Sequence, residues 1–156
     1  MADKTNAIRL LDRMKLDYIL HDYSDTDAIS GTEIAAALGE DPDRVFKTLV
    51  TVGKTGEHFV FMIPVALELD LKKAAKAAGQ KSIAMIKAKE LLPLTGYIHG
   101  GCSPIGMKKQ FQTFIDETAI FYDRICFSGG KIGLQIETSL VNLQKILPVT
   151  PFSLTE

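Results

Sequence analysis

The sequence lacks the features of membrane, secreted and strongly basic proteins. No apolar run approaches the roughly 20 residues that a membrane-spanning helix needs. The start of the chain, MADKTNAIRLLDRMK, includes Asp3 and has no apolar segment, so we predict no signal peptide and expect a cytoplasmic location. The formal net charge of −1 over 156 residues excludes a strongly basic nucleic-acid-binding protein.

The common metal and nucleophile motifs are also missing. The two cysteines, Cys102 and Cys126, have no CxxC spacing, and His21, His58 and His99 form no HExxH pair. These spacings predict free thiols, histidines without a ligand role, and a protein that uses no metal and no organic cofactor. The GxSxG and GxxxxGK[ST] patterns are absent, which argues against a serine hydrolase and a P-loop nucleotide-binding protein.

Apolar spacing and capping residues predict a set of short helices in a single domain over residues 1–156. The length suits one domain, and the chain has no repeat, low-complexity segment or linker. The capping patterns predict helices at residues 5–15, with Thr5 as the cap, and at 30–39, with a Ser30–Glu33 capping box and Gly39 at the end. A further helix is predicted at 70–79, between Asp70 and Gly79. The remaining predictions are a short helical turn at 41–43, a short helix at 88–92 and a last helix capped by Thr138.

Strands are predicted where β-branched and aromatic residues cluster between turn residues. These segments are residues 18–23, 45–52, 58–65, 83–86, 97–99, 113–115, 120–127 and 132–136. The intervening segment GKTGE (53–57) predicts a hairpin between the second and third of them. Because strands outnumber helices and several are joined by hairpins, we predict an α/β (α+β) fold with a mixed, largely antiparallel sheet and helices packed around it.

Lys47 is the first candidate for chemistry. In the segment VFKTLV, it lies on a strand whose two faces are otherwise mostly apolar. The side chain must therefore either extend along the strand to solvent at a sheet edge or point into a polar cavity. In a cavity, an ammonium group would suit an anionic phosphate or a carbonyl oxygen that develops negative charge.

A glycine-rich loop, GGCSPIG (100–106), is the second candidate. Its backbone N–H groups could converge on an oxygen and form an anion-binding site, or the segment could be a plain tight turn. Cys102 lies inside it and His99 is three residues away, but no known Cys/His spacing is met. We therefore do not expect Cys102 to be a nucleophile, and Cys126, in an apolar alternation, is expected in the core.

Charge is distributed unevenly along this nearly neutral chain. Residues 12–43 carry nine acidic residues, whereas residues 71–89 carry six lysines and no acidic residue. The lysines of the basic segment (71–89) are Lys72, Lys73, Lys76, Lys81, Lys87 and Lys89. This asymmetry is compatible with ordinary solvated helix faces and with a surface that contacts phosphates.

Four segments in order resemble the YbaK/ProX family of aminoacyl-tRNA editing domains. They are DPDRVFKTLV, LDLKKAAKAAG, TGYIHGGCSPIGMKK and SGGKIGLQIE. The similarity extends from the first helix to the last and is greatest to the free-standing YbaK/EbsC-like deacylases, rather than to the editing insertion of prolyl-tRNA synthetases. The resemblance implies a mixed, partly barrel-like sheet surrounded by helices.

The resemblance also implies roles for individual residues. Lys47 matches the family's essential lysine, and Gly100–Pro104 match a GxxxP loop whose backbone donors surround the aminoacyl ester. Tyr23 matches a tyrosine that lines the pocket, Thr48 follows the lysine, and Gly129, Gly130 and Lys131 match a second glycine turn. The implied substrate-binding residues are Tyr23, Ser30, Thr48, Gly100, Gly101, Cys102, Ser103, Pro104, Gly129, Gly130 and Gln135.

Three positions depart from the family pattern. Ser30 stands where cysteine-specific members carry phenylalanine, and Gln135 stands where they carry aspartate. These two changes bear on which amino acid is preferred. Cys102 replaces an apolar residue in the glycine loop, which argues against a general nucleophilic role for this position.

By this resemblance, the chain is expected to remove a wrongly attached amino acid from the 3′ end of a tRNA, in particular cysteine from a proline tRNA. The implied partners are the mischarged aminoacyl-tRNA and a prolyl-tRNA synthetase, with no membrane involved. Two alternatives remain at this stage. One is a tRNA-binding or regulatory module without catalysis, and the other is an interaction protein of the cell envelope or of transcription.

Overall fold

The computed structural model describes residues 4–156, so Asp3 lies outside the described part of the chain. Within it, five α-helices and eight strands are formed. The helices are α1 (Asn6–Arg13), α2 (Gly31–Leu38), α3 (Leu71–Ala78), α4 (Ala88–Thr95) and α5 (Leu140–Ile146). The strands are β1 (Ile19–Asp22), β2 (Phe46–Gly53), β3 (His58–Pro64), β4 (Ile83–Met85), β5 (Gln112–Asp116), β6 (Ile125–Ser128), β7 (Leu134–Thr138) and β8 (Val149–Phe152).

The strands form two sheets that meet at one corner. The larger sheet has the order β4-β2-β3-β5-β8, and the smaller has the order β1-β7-β6. The pairs of β2 with β3 and β4, and of β7 with β1 and β6, are antiparallel, whereas β5 runs parallel to β3 and β8. Val45, just before β2, forms a bridge to Cys126 in β6 and so joins the sheets. The predicted mixed, largely antiparallel sheet with helices around it is confirmed, and the two sheets do not close into a barrel.

Hydrophobic side chains fill both faces of the larger sheet. On one face, Phe46, Met62 and Ile115 pack with residues of α1, α5 and the smaller sheet. On the opposite face, Phe59, Phe61 and Phe114 pack against Ala74 and Ala75 of α3. Because both faces are covered, the strands of this sheet are apolar on both sides, as their sequence indicated. Within residues 4–156, no helix is both long enough and apolar enough to cross a bilayer.

The predicted ends of α2 and α3 are confirmed. Ser30 accepts a hydrogen bond from the Glu33 N–H, and the Glu33 side chain accepts one from the Ser30 N–H, which completes the capping box. The Asp70 side chain caps α3 by accepting hydrogen bonds from the N–H groups of Lys72 and Lys73, and Gly79 ends the helix in the left-handed conformation that glycine favours. Pro42 begins a short 3₁₀ helix, as predicted.

Three local predictions were wrong, and one strand was missed. Residues 97–99 are not a strand, because buried Tyr97 donates its hydroxyl to the Ile105 carbonyl and the chain turns directly into the glycine loop. Residues 117–121 form a 3₁₀ helix capped by Asp116, so the predicted strand begins only at Ile125. The cap of α5 is Ser139 rather than Thr138, whose hydroxyl donates to the Asp17 carbonyl. The edge strand β8 was not predicted.

Candidate functional site

A cavity of about 400 Å³ opens beside the free edge of β2. Its wall combines several parts of the chain: Ile29, Ser30, Gly31 and Ile34 around the start of α2, Val45 with residues 46–50 of β2, Val65, residues 85–88 with Leu91 around the start of α4, His99, Gly100 and Cys102, and the floor residues Ser128 and Gln135. Sites of this size hold small molecules or parts of larger ones.

The open edge of β2 explains why residues from both faces of one strand reach the cavity. β4 pairs only with Thr51–Gly53, so within the described chain the first half of β2 has a strand partner on one side alone, which is β3. Successive side chains alternate between the faces of a strand, but at an uncovered edge both faces adjoin the same space. Lys47 and Thr48 therefore both line the cavity.

Lys47 carries a loosely held positive charge at this edge. Its side chain is 30% exposed, and its Nζ lies 3.9 Å from Oε1 of Glu68, whose side chain is 89% exposed. An ion pair of this length with a solvated carboxylate contributes little free energy. The Lys47 ammonium is thus available to an anionic ligand that enters the cavity.

The charge of the cavity lining favours an anion. Lys47 and Lys87 both line it, and no aspartate or glutamate of the described residues does. His99 and Cys102 are the lining residues with a possible metal-binding side chain, and a divalent ion would find no carboxylate there. The cavity therefore suits a ligand that carries a phosphate or a polarised carbonyl group.

Two buried oxygen atoms of the lining have no partner within the described chain. They are Thr48 Oγ1 and Gln135 Oε1. Gln135 is only 5% exposed, so water has little access to its side chain. A buried polar atom without a hydrogen bond costs free energy, about 1–3 kcal/mol per group. Both atoms are positioned to accept hydrogen bonds from a ligand that fills the cavity.

The glycine loop contributes to the cavity through only some of its residues. Gly100 and Cys102 line it, as does the preceding His99, whereas Gly101, Ser103 and Pro104 are buried and outside the lining. The Gly101 N–H donates to the Ile98 carbonyl at 3.0 Å and is not free for a ligand. Within residues 4–156, the N–H groups of Cys102 and Ser103 have no acceptor.

Gly101 is required for packing between the glycine loop and the second glycine turn. A Cβ atom at this position would lie 2.8 Å from the Lys131 Cα and 2.9 Å from the Ile132 nitrogen. Real Cβ atoms do not approach backbone atoms this closely, so only glycine allows the two segments to meet. The loop is therefore held against the turn at residues 128–133.

The Cys102 thiol is buried, and its environment favours the protonated form. It is 8% exposed, and desolvation by burial raises its pKa to about 12. Since the thiolate is the nucleophilic form, the thiol is protonated at neutral pH and is poorly suited to covalent catalysis.

The remaining predicted residues lie at or behind the cavity wall. Ser30 lines the cavity and also caps α2. Tyr23 is buried, and its N–H donates to the Gly133 carbonyl. Tyr23, Gly129 and Gly130 are outside the lining, and their role in substrate binding stays a prediction.

Sequence reasoning missed the wall formed around the start of α4 and one floor residue. The missed lining residues include Met85, Ile86, Lys87, Leu91 and Ser128. Lys87 was noticed only as part of the basic segment. Nothing in the local pattern of the others differs from ordinary core or surface positions, so only the tertiary structure reveals them.

The chain is similar in sequence to one protein family and to two relatives with assigned names. Residues 26–146 match the model of a family described as the aminoacyl-tRNA editing domain. EbsC of Enterococcus faecalis, which is named as a proposed Cys-tRNA(Pro)/Cys-tRNA(Cys) deacylase, is 49% identical over 135 residues, which are 86% of this chain and 82% of that protein. A proline–tRNA ligase of Pelobacter propionicus is 35% identical over 83 residues, which are 53% of this chain and 14% of the ligase.

Solved structures share the fold. The hypothetical protein APE2540 superposes with a TM-score of 0.88 at 21% identity, covering 97% of this chain and 99% of the other. A protein described as a proposed trans-editing enzyme for prolyl-tRNA synthetase superposes with a TM-score of 0.83 at 23% identity, covering 99% of both chains. At these identities, the likeness establishes the fold alone.

Proposed function

This chain belongs to the aminoacyl-tRNA editing domain family, and from that premise we propose that it is a free-standing deacylase that removes a mischarged amino acid from the 3′ end of tRNA. The proposed main substrate is cysteine on a proline tRNA, because the 49% identical relative is named for Cys-tRNA(Pro) and Cys-tRNA(Cys). A prolyl-tRNA synthetase is the proposed source of the mischarged tRNA, and the cytoplasm is the proposed location.

The observation that carries this proposal is a cavity with Lys47 and Lys87 in its lining and no carboxylate among its described residues. The 3′ end of an aminoacyl-tRNA presents a phosphate and an ester carbonyl close together, which matches such a lining. In the proposed complex, Lys47 binds the phosphate of the terminal adenosine or orients the ester. The free N–H group of Cys102, which lines the cavity, donates to the carbonyl oxygen as it gains negative charge.

The proposed chemistry needs no nucleophile from the protein. In a cysteinyl ester, the substrate's own thiol attacks the carbonyl carbon, a C–S bond forms, the ester C–O bond breaks, and the tRNA 3′ oxygen leaves with a proton. Holding the thiol and the ester carbonyl in reactive positions within the cavity makes this intramolecular step fast. With other amino acids, water must be the nucleophile. We propose that no metal or organic cofactor takes part in either reaction.

The function is tested by single-turnover deacylation of Cys-tRNA(Pro), with Ala-tRNA(Pro) as the control substrate. Loss of the amino acid faster than spontaneous hydrolysis supports the proposal. The released product distinguishes the routes, since cyclisation gives the cysteine thiolactone and hydrolysis gives free cysteine. Tight binding of tRNA without turnover would instead favour a tRNA-binding or regulatory module.

Cys102→Ser is expected to retain activity within about tenfold of the wild type, a change in activation free energy of about 1.4 kcal/mol or less. The substitution leaves the backbone N–H groups of the loop in place, and the buried thiol is protonated in the wild type. Single-turnover rates on Cys-tRNA(Pro) provide the measurement. An inactive Cys102→Ser enzyme with an intact fold would point to covalent catalysis by this thiol.

The basic segment (71–89) is proposed to bind the tRNA backbone. Lys72, Lys76, Lys81, Lys87 and Lys89 are exposed. The Lys73 ammonium already has a hydrogen-bond partner within the protein, because it donates to the Thr155 carbonyl. The exposed lysines are therefore the ones available to phosphates.

Replacing both Lys72 and Lys76 with glutamine should weaken tRNA binding and flatten its salt dependence by about 1–2 units of slope, as expected for two lost phosphate contacts. The rate at saturating tRNA should change little, because α3 does not line the cavity. Lys145→Gln, an exposed lysine on α5, is the matched control. Equal slopes for the double variant and the control would place the tRNA elsewhere.

A further inference from the structure

Four side chains with metal-binding atoms converge beside the cavity floor. They are His21 of β1, Glu40 after α2, Cys126 of β6 and Glu137 of β7. One ligand atom from each lies within 4.8 Å of all the others. Cys126 is fully buried and Glu137 is 7% exposed, while His21 and Glu40 are partly exposed.

The strand register explains why three of these residues meet. His21 pairs with Gln135 and Cys126 pairs with Glu137, so all of them lie on the same face of the smaller sheet. Glu40 approaches this face from the end of α2, whose Ala35 packs beside Cys126. The cluster is thus assembled by tertiary structure from distant parts of the sequence.

Existing hydrogen bonds and an ion pair already orient the two carboxylates. Glu137 Oε1 lies 2.9 Å from His21 Nε2, and its Oε2 lies 3.4 Å from Arg124 Nη1. Glu40 Oε2 lies 3.5 Å from Arg44 Nη1. Each arginine holds one oxygen of its carboxylate, in the way that ligating carboxylates are commonly held by further hydrogen bonds. The oxygens offered to the cluster are the second oxygen of Glu40 and Glu137 Oε1, whose present contact with His21 Nε2 a bound ion would replace.

The donor set fits one metal better than others. Imidazole nitrogen, thiolate sulfur and carboxylate oxygens together suit tetrahedral zinc, whereas magnesium and calcium select oxygen ligands alone. Neighbouring ligand atoms of a tetrahedral zinc ion lie about 3.3–3.8 Å apart. The most distant pair of the cluster must therefore approach by about an ångström at most, whereas His21 Nε2 and Glu137 Oε1, now 2.9 Å apart, must separate slightly. Rotation of the partly exposed His21 and Glu40 side chains can supply this change.

We propose that His21, Glu40, Cys126 and Glu137 bind one zinc ion. The ion replaces the proton of the Cys126 thiol, which leaves to solvent, and binds neutral His21 and the two carboxylates. The site lies two residues along β6 and β7 from Ser128 and Gln135, the floor of the cavity. Its role is structural, since the four ligands do not line the cavity and the ion holds the floor strands to α2.

The test uses metal-free protein, dialysed against EDTA and titrated with Co²⁺ as a spectroscopic probe and then with Zn²⁺. We expect one equivalent of Co²⁺ to give thiolate-to-cobalt charge-transfer absorption, and Zn²⁺ to displace it. Cys126→Ser should abolish this absorption, and Glu137→Gln and His21→Gln should weaken zinc binding at least about tenfold. Cys102→Ser, the other buried cysteine, is the matched control and should bind as the wild type does.

The melting temperature is a second measurement, which distinguishes a loss of zinc binding from a failure of a variant to fold. Zinc should raise the melting temperature of the wild type in a concentration-dependent manner, and raise it less in His21→Gln, whose substituted side chain is partly exposed and leaves the core intact. Absence of the charge-transfer absorption in the wild type would overturn the proposal. So would absorption that survives Cys126→Ser, or zinc binding that is equal in the wild type and His21→Gln.

Discussion

Lys47→Ala should lower single-turnover deacylation of Cys-tRNA(Pro) at least about 100-fold, the usual cost of removing a charged or polar group that stabilises the transition state. The fold should be preserved, because the partner of Lys47 is an exposed carboxylate at 3.9 Å and such pairs contribute about 1 kcal/mol or less. Rates are measured with enzyme in excess over tRNA, and melting temperatures are measured alongside.

Two further variants test whether the geometry of the cation at position 47 matters and whether its ion pair with Glu68 matters. Lys47→Arg should restore little activity, since a planar guanidinium differs in geometry from a compact ammonium. Glu68→Gln removes the partner of Lys47 without touching the cavity lining, and should leave the rate within about fivefold of the wild type. A Lys47→Ala enzyme as active as Glu68→Gln would remove Lys47 from the mechanism.

Gly101→Ala should lower both stability and activity. The added methyl group would lie 2.8 Å from the Lys131 Cα, and backbone atoms cannot move aside as a side chain can. We expect destabilisation of about 1–3 kcal/mol, the common cost of overpacking. Because the glycine loop must shift, its N–H donors are misplaced, and the rate should fall by roughly 100-fold. Chemical denaturation and single-turnover kinetics measure the two effects.

Gly53→Ala is the matched control for this effect. A Cβ atom at Gly53 would also meet a neighbour, but that neighbour is the Gln80 side chain rather than backbone, and it can rotate away at the loss of its hydrogen bonds from exposed Thr55. Gly53 lies in the β2–β3 hairpin, outside the cavity lining. Its variant should lose little stability and keep full activity. Equal losses in the two variants would show that the packing of Gly101 has no special role.

The parts of the fold that the sequence predicted well are those set by local chemistry. The capping box of Ser30 and Glu33 and the start of α3 at Asp70 depend on contacts within a few residues. The β2–β3 hairpin follows from a short turn between two apolar runs.

The errors arose where distant contacts decide the structure. Residues 97–99 have strand-forming side chains, but Tyr97 is fixed by the Ile105 carbonyl rather than by a neighbouring strand. β8 contains Pro151, which argues against a strand, yet it is an edge strand that pairs only with β5 in the described chain. A single sequence contains little local information about either arrangement.

The candidate site was predictable only in part for the same reason. A lysine within an apolar strand drew attention to Lys47, and the glycine pattern drew attention to Gly100 and Cys102, all of which line the cavity. The lining contributed by Met85 and Leu91 has no signature in the sequence. The zinc ligands proposed here occupy positions 21, 40, 126 and 137, a spacing that no local motif describes.

The most direct test of the account is a panel of tRNAs carrying correct and incorrect amino acids, each incubated with the wild-type protein and with Lys47→Ala. We predict rapid loss of cysteine from Cys-tRNA(Pro) with the wild type, slower loss of other mischarged amino acids, and negligible loss of proline from Pro-tRNA(Pro). Lys47→Ala should be close to the spontaneous rate on every substrate. The proposed deacylase function would be contradicted if the wild type did not accelerate the loss of any amino acid. The proposed role of Lys47 would be contradicted if both proteins deacylated the panel at equal rates.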